Sequence, residues 1–167
     1  MLSYEDWGFE YTRGGELDIS GQQLDSLEGC PQHITGSFDC SGNNLSNLVG
    51  GPQIVDGDYN CDENYNLTDL TGCASHITGR IYWYNTRITS LVGIHKIIKS
   101  CKSVCVDTKK ITQGGIGLLM IENLKYISNY KSEPFEIINK YVGAGMKGMM
   151  ACSKELNSRG YADYAKL

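Results

Sequence analysis

The chain has 167 residues, 41% of them hydrophobic and 20% charged, with a formal net charge of −4. That length suits one domain. No apolar run reaches the ~18 residues of a membrane-spanning helix, the balance of charge is not that of a general nucleic-acid binder, and Glu5 and Asp6 stand where a secretory leader needs basic and apolar residues. The chain is therefore expected to stay in a reducing compartment, with its seven cysteines as free thiols. The mild average hides a strong asymmetry. Residues 1–79 carry thirteen acids and one base, Arg13, whereas residues 80–167 carry six acids and fourteen bases. Such a dipolar chain either solubilises its two halves differently or presents an acidic face to a basic partner.

In chain order, residues 1–14 come first. Tyr4, Trp7, Phe9 and Tyr11 supply aromatic bulk, and the segment is expected to form an N-terminal cap. An internal repeat then dominates. Segments beginning at Gly15, Gly36, Gly57 and Gly79 align with periods of 21, 21 and 22 residues, and a degraded fifth copy starts at Cys101. The third position of each copy reads Leu17, Phe38, Tyr59, Ile81. The fifth reads Ile19, Cys40, Cys61, Trp83 and, in the last copy, Cys105. Further along each copy come Leu24, Leu45, Leu67, Ile88 and Ile111, then Leu27, Leu48, Leu70 and Leu91, a closing glycine (Gly29, Gly50, Gly72, Gly93), and Ile34, Val55, Ile77 and Ile97.

Alternation such as Phe38-x-Cys40 points both side chains to one face of a short strand. Asn43 and Asn64 come three residues after the inward cysteines, where the chain must turn. An inward amide there can bond backbone groups that no sheet reaches. Gln22, Thr86 and Thr108 take that slot in the other copies. Equivalent positions would stack every ~4.8 Å, so five turns make a rod roughly 20–25 Å long. No turn has a core of its own until its neighbours stack on it.

Each copy resembles the leucine-rich repeat core L-x-L-x-x-N-x-L, as in Phe38-Asp39-Cys40-Ser41-Gly42-Asn43-Asn44-Leu45, over roughly residues 15–112. The pattern GG-x-F-x-C-S-x-N-x-L-x-x-L-x-G-x-P is similar to that of repeat proteins encoded by large tailed bacteriophages, and the tail ACSKELNSRGYADYAKL is similar to helices that end phage proteins. The resemblance implies a non-enzymatic binding protein of the bacterial cytoplasm, with a host-takeover or anti-defence role, that docks on a host enzyme or immune effector and inhibits or redirects it.

After the repeat, residues 116–130 (IGLLMIENLKYISNY) have helical apolar spacing. SEPFEIINKYV opens with Ser132 as a candidate N-cap and Pro134 in the first turn, and residues 146–167 read as a third helix broken at Gly160. The expected architecture is thus an α/β, β-rich solenoid of about five leucine-rich-repeat turns over residues 15–113, between an N-terminal cap (1–14) and a C-terminal helical subdomain (114–167).

Little in the chain suggests catalysis. Stacked cysteines serve as small buried hydrophobes. Cys101-x3-Cys105 with His95 upstream lacks the ligands of a zinc site, so no metal or other cofactor is expected. His33 and His76 occupy equivalent positions two turns apart, too far to act as a pair. Gly143-Ala-Gly145-Met-Lys-Gly148 matches G-x-G-x-x-G but comes after a helical pattern, and reads as a joint between helices.

The outward strand positions carry the functional expectation. If the third and fifth positions point inward, Glu16, Asp18, Asp39, Asp58, Asn60, Asp62, Arg80, Tyr82 and Tyr84 line the sheet surface, with Lys102, Val104 and Val106 after them. The carboxylates suit a partner with a basic groove, and the tyrosines are good anchoring residues. Short polar side chains that merely keep a sheet soluble would give the same pattern, with the tyrosines under the helical cap. Two other roles fit the composition. The C-terminal helices could self-associate through Met146, Met149, Met150, Leu156 and Tyr164. The basic half could bind nucleic acid or nucleotides through Lys102, Lys109, Lys110, Lys125 and Lys131, although scattered lysines disfavour this.

Overall fold

In the computed structural model, residues 14–128 and 132–167 are described. The expected aromatic cap over residues 1–14 falls, but for its last residue, outside them. The repeat folds as a β-solenoid of about five turns. Nine short strands are β1 (Leu17–Asp18), β2 (His33–Ile34), β3 (Phe38–Asp39), β4 (Ile54–Val55), β5 (Tyr59–Asn60), β6 (His76–Ile77), β7 (Arg80–Tyr82), β8 (Ser103–Cys105) and β9 (Tyr126–Ser128). Six of them form one parallel sheet in the order β1-β3-β5-β7-β8-β9, and β2-β4-β6 form a second. Single bridges from His76 to Ser100 and from Ser100 to Glu122 prolong the second sheet.

Register explains the core. Leu17 pairs with Phe38, Phe38 with Tyr59, Tyr59 with Ile81, Ile81 with Val104 and Val104 with Ile127. All six side chains are buried, and the Phe38 and Tyr59 rings meet edge to face at 5.1 Å. Each fully buried side chain of this kind is worth about 1.5–3 kcal/mol. The Cys40 and Cys61 thiols lie wholly inside and donate to the carbonyls of Asn60 and Tyr82 on the next strand.

The asparagines do what their position requires. Asn43 Nδ2 donates to the carbonyls of Ile19 and Cys40, and its Oδ1 accepts from the amides of Gln22 and Leu24. Asn64 repeats this one turn on, donating to Cys40 and Cys61 and accepting from Leu45. Thr86 is buried and reaches only the Trp83 carbonyl and, at 3.4 Å, the Ile88 amide. Thr108 is buried with its hydroxyl unpartnered, and Gln22 is exposed rather than in the inward slot.

Three expectations are corrected toward the C-terminus. The fifth copy is shifted by one residue: Val104 and Val106 are inward, and Cys105 pairs with Tyr82 on the outward face. Ile97 lies in a short helix, α1 (Ile94–Ile97), inserted into that turn, so Ile98 is buried and Cys101 takes the slot after Ile77. Residues 116–130 are not one helix. A 3-10 turn, Gly115–Met120, leads into β9, so the first sheet continues beyond residue 113. Phe135 and Ile138 of α2 (Glu133–Lys140) lie closest to where a side chain on Gly115 would stand, and α2 anchors to β9 through Asn139 Oδ1, which accepts from the Ile127 amide. Pro134 stands in the first turn of α2, and the Ser132 carbonyl accepts from Phe135 and Glu136, while its side chain makes no capping bond. Gly143, at φ 78°, turns the chain into α3 (Gly145–Ser158), which makes the G-x-G-x-x-G match a helix joint. Gly160, at φ 85°, ends that region before a last 3-10 turn, Ala162–Ala165.

Candidate functional site

The outward face of the six-stranded sheet gathers the residues with outward strand positions. Parallel register aligns them in three rows. One runs Glu16, Ser37, Asp58, Arg80, Ser103, Tyr126. The next runs Asp18, Asp39, Asn60, Tyr82, Cys105, Ser128. The third runs Ser20, Ser41, Asp62, Tyr84, Asp107. Glu16, Asp18 and Arg80 are exposed, and Asp39, Asp58, Asn60, Asp62, Tyr82 and Tyr84 are half-buried. Val104 and Val106, expected on this face, are instead in the core, and Ser103 and Cys105 stand in their rows.

The carboxylates also serve the fold. Asp18, Asp39 and Asn60 each accept, through Oδ1, the amide two residues on, at Ser20, Ser41 and Asp62, and so close the bend after the strand. The repeated D/N-x-S/D triplet is the sequence signal for this role, and hydrophobic periodicity alone does not reveal it. Asn60 Nδ2 donates to Asp39 Oδ2 at 3.0 Å, which relieves the repulsion expected among stacked carboxylates on that side. Hydrogen bonds from the hydroxyl and amide of Ser20 hold the Asp18 carboxyl below the usual carboxylate range.

Where the acidic rows meet the aromatic residues, two networks form. Asp58 Oδ1 accepts from the Arg80 amide at 2.7 Å and its Oδ2 accepts from the Tyr82 hydroxyl at 3.3 Å, while Arg80 Nη1 donates to that hydroxyl at 3.1 Å. Asp62 Oδ1 accepts from the Tyr84 amide. Burial pushes the Asp62 carboxyl up to about 6; the Tyr84 amide opposes this, and the charges of Asp39 and Glu63 add to it. Beside Tyr84, a polar hollow of about 430 Å3 is lined by Tyr84, Asn85, Asp107 and Lys109. The face thus combines carboxylates with two tyrosines tied to the neighbouring strand, Tyr82 through its hydroxyl and Tyr84 through its backbone amide.

The other candidates do not converge. His33 Nε2 lies 2.7 Å from Asp56 Oδ2 and His76 Nδ1 lies 2.9 Å from Ser75 Oγ, while Ile54 separates the two histidines in the register. The seven cysteines are free and buried, and burial raises each thiol, to about 12 at Cys30 and Cys101 and about 11 at Cys152. Among the described residues no three His, Cys, Asp or Glu side chains gather as a metal site would require, and no helix is long and apolar enough to cross a membrane. Lys102 and Lys125 are register neighbours, and Lys109 and Lys110 lie past the other end of β8. Lys131 lies outside the described residues. Of the expected C-terminal seam, Met146 and Met150 are exposed and Met149 is half-buried. Leu156 is wholly in the core, because it sits on the face of α3 turned toward the solenoid, and Tyr164 packs against Phe135 and donates to the Ile111 carbonyl. Comparisons of the chain with known protein families, with curated proteins and with solved structures found no match.

Proposed function

We propose that the protein is a non-enzymatic binding module whose six-stranded sheet face docks on a basic surface of a partner protein. One observation carries this reading: the parallel register brings Glu16, Asp18, Asp39, Asp58 and Asp62 onto one face, with Asn60 and Arg80 among them and Tyr82 and Tyr84 at their edge. The carboxylates steer the approach of a basic groove. Tyr82 and Tyr84 offer large anchoring surfaces, and the hydroxyl of Tyr82 is already held by Asp58 and Arg80, so little freedom of that side chain is lost on docking. The resemblance of the repeats to those of tailed bacteriophages supports the narrower form of the proposal: a partner in the bacterial cytoplasm, an enzyme or immune effector, blocked or redirected by stoichiometric binding.

The two alternatives have less support. Self-association through the whole C-terminal seam loses Leu156 and Tyr164 to the core, and the lysines of a nucleic-acid reading are divided between the two ends of β8.

The test is affinity capture from bacterial lysate at low and moderate salt, with and without nuclease. One protein recovered near stoichiometrically, regardless of nuclease, is the expected result. Asp39→Lys with Asp62→Lys should weaken that complex by about tenfold or more and flatten its salt dependence. Asp39→Asn with Asp62→Asn keeps both Oδ1 acceptors and gives up only the bond from Asn60 to Asp39 Oδ2, and should weaken the complex less while keeping the circular-dichroism spectrum of the parent. Unaltered affinity in both variants would remove the sheet face from the interface.

A further inference from the structure

A second surface, independent of the sheet face, lies on the C-terminal cap. Among the described residues nine large apolar side chains are exposed, and four of them, Met120, Met146, Met150 and Leu167, line adjoining hollows. One, of about 300 Å3, is bounded by Ile116, Met149, Met150 and Leu167. The next, of about 230 Å3, is bounded by Leu119, Met120, Met146 and Met149. Met149 is shared, so the two form one groove along α3, with half-buried Met149 between Met146 (63% exposed) and Met150 (69% exposed).

The rim of this groove is basic on its outer side. At about 100° per residue, Met146, Met149, Met150 and Ser153 share one stripe of α3, and Lys147 and Lys154 lie about 40–60° beyond Met150. Both lysines are exposed, and neither has a hydrogen-bond or ion-pair partner among the described residues. Lys166, next to Leu167 at the far end, is paired with Asp163.

This charge pattern decides among occupants. Two copies meeting α3 to α3 would set Lys147 and Lys154 against their own counterparts if antiparallel, or against the flank of Met149 if parallel, and α3 has no carboxylate on either, since Glu155 lies on the opposite side and is paired with Lys140. A flat lipid surface would leave half-buried Met149, at the bottom of the groove, untouched. A helix entering the groove reaches Met149 with its apolar side and can place carboxylates beside both lysines. Methionines suit this, because their flexible thioethers adapt to the side chains they receive. We propose that the groove along α3 binds an amphipathic, acidic helix of a partner protein, with apolar side chains seated on Met146, Met149 and Met150 and carboxylates against Lys147 and Lys154.

The test uses the full chain and fluorescence anisotropy of a labelled helical peptide of about five turns, with leucine on one face and glutamate on its flanks, beside a twin carrying lysine for glutamate. The acidic peptide should bind, and the lysine twin should bind at least about tenfold more weakly. Met150→Glu, at a site too exposed to disturb the fold, should weaken the acidic peptide about tenfold. Lys147→Glu with Lys154→Glu should reverse the preference between the twins. The proposal is overturned if neither peptide binds, if both bind equally, or if vesicles of phosphatidylserine and phosphatidylcholine bind while the peptides do not. It also fails if sedimentation shows a dimer that Met150→Glu dissociates. None of these results bears on the sheet face, which is read separately through Asp39 and Asp62.

Discussion

The three turns between β1 and β7 and the two between β7 and β9 share one parallel sheet but are held differently. In the first set the strands recur every 21, 21 and 22 residues, the second sheet runs unbroken through β2, β4 and β6, and buried Asn43 and Asn64 bond the backbone of successive turns. In the second set the spacing grows to 23, α1 is inserted, the second sheet dwindles to single bridges, and Thr86 and Thr108 stand where amides would satisfy more groups. A solenoid can relax its internal ladder where helices pack against its end and supply core. The outward face changes at the same boundary, from carboxylates to Arg80, Tyr82 and Tyr84. The candidate site therefore lies where the regular repeat gives way.

The sharpest way to break this comparison uses two equivalent glycines. Gly72 and Gly93 close successive turns at φ 88° and 80°. A Cβ on Gly72 would stand 2.3 Å from the Val49 amide nitrogen and 2.4 Å from the Leu48 carbonyl carbon, both backbone of the preceding turn. A Cβ on Gly93 would meet nothing within 4 Å. Gly93→Ala should therefore cost only the left-handed strain, about 1–2 kcal/mol. Gly72→Ala must also push two turns apart, and should cost about 4 kcal/mol or more. Urea unfolding of the two variants measures the gap, and equal losses would mean that the turn closed by Gly93 stacks on its predecessor as tightly as the one closed by Gly72. The loose contact is confined to that junction, since a Cβ on Gly114, one turn later, would again stand 2.2 Å from the Val92 amide nitrogen.

A smaller contrast lies in the inward ladder. Asn64→Ala strands the Cys61 carbonyl and the Leu45 amide inside the protein and leaves the Cys40 carbonyl only its bond from Asn43, and should destabilise the fold by about 3 kcal/mol. Thr86→Val removes a hydroxyl that makes one good bond, to the Trp83 carbonyl, and should cost about 1 kcal/mol. The same denaturation experiment reads both. A Thr86 loss as large as that of Asn64 would show the later turns to depend on their inward polar groups just as much.

The same boundary governs how much could be read from the chain alone. Leu17, Phe38, Tyr59 and Ile81 alternate with polar neighbours, so their register and the outward rows beside them come directly from periodicity. At Ser103-Val104-Cys105-Val106 every residue is buried, and alternation no longer marks a face. Only pairing with β7 shows that Val104, not Cys105, continues the inward column. The sixth strand of the first sheet was obscured for a related reason. Ile121, Leu124 and Ile127 are spaced as on a helix, and it is the pairing of β8 with β9, not local preference, that extends the chain there. Of the site, the set of outward residues was legible. That Asp18, Asp39 and Asn60 also close bends is a local matter, signalled by the repeated triplet and not by hydrophobic periodicity. That Tyr82 and Tyr84 are tied to Asp58 and Asp62 depends on contacts across turns 24 and 22 residues apart.

The finest probe of the boundary is Asp62, which belongs to the acidic turns but whose carboxyl accepts from the amide of Tyr84, just beyond β7. Its carboxyl rises from 3.8 to about 6 on folding, chiefly through burial. The folded chain thus holds a proton there that the unfolded chain has already released, and between these two values stability falls as pH rises. The penalty is complete above pH 7, and is about 1 kcal/mol once solvent screening of a half-exposed group is allowed for. Asp62→Asn keeps the oxygen that accepts from Tyr84 and removes the charge. It should be more stable than the parent at pH 7 by that amount, and the advantage should shrink at pH 4.5, as urea unfolding at the two values would show. An advantage that does not change with pH would mean that it does not come from the charge of Asp62. A basic partner on this face would also draw the proton off Asp62, so binding near pH 6 should release protons. The same substitution should abolish that release, which ties the stability of this turn to the proposed use of the face.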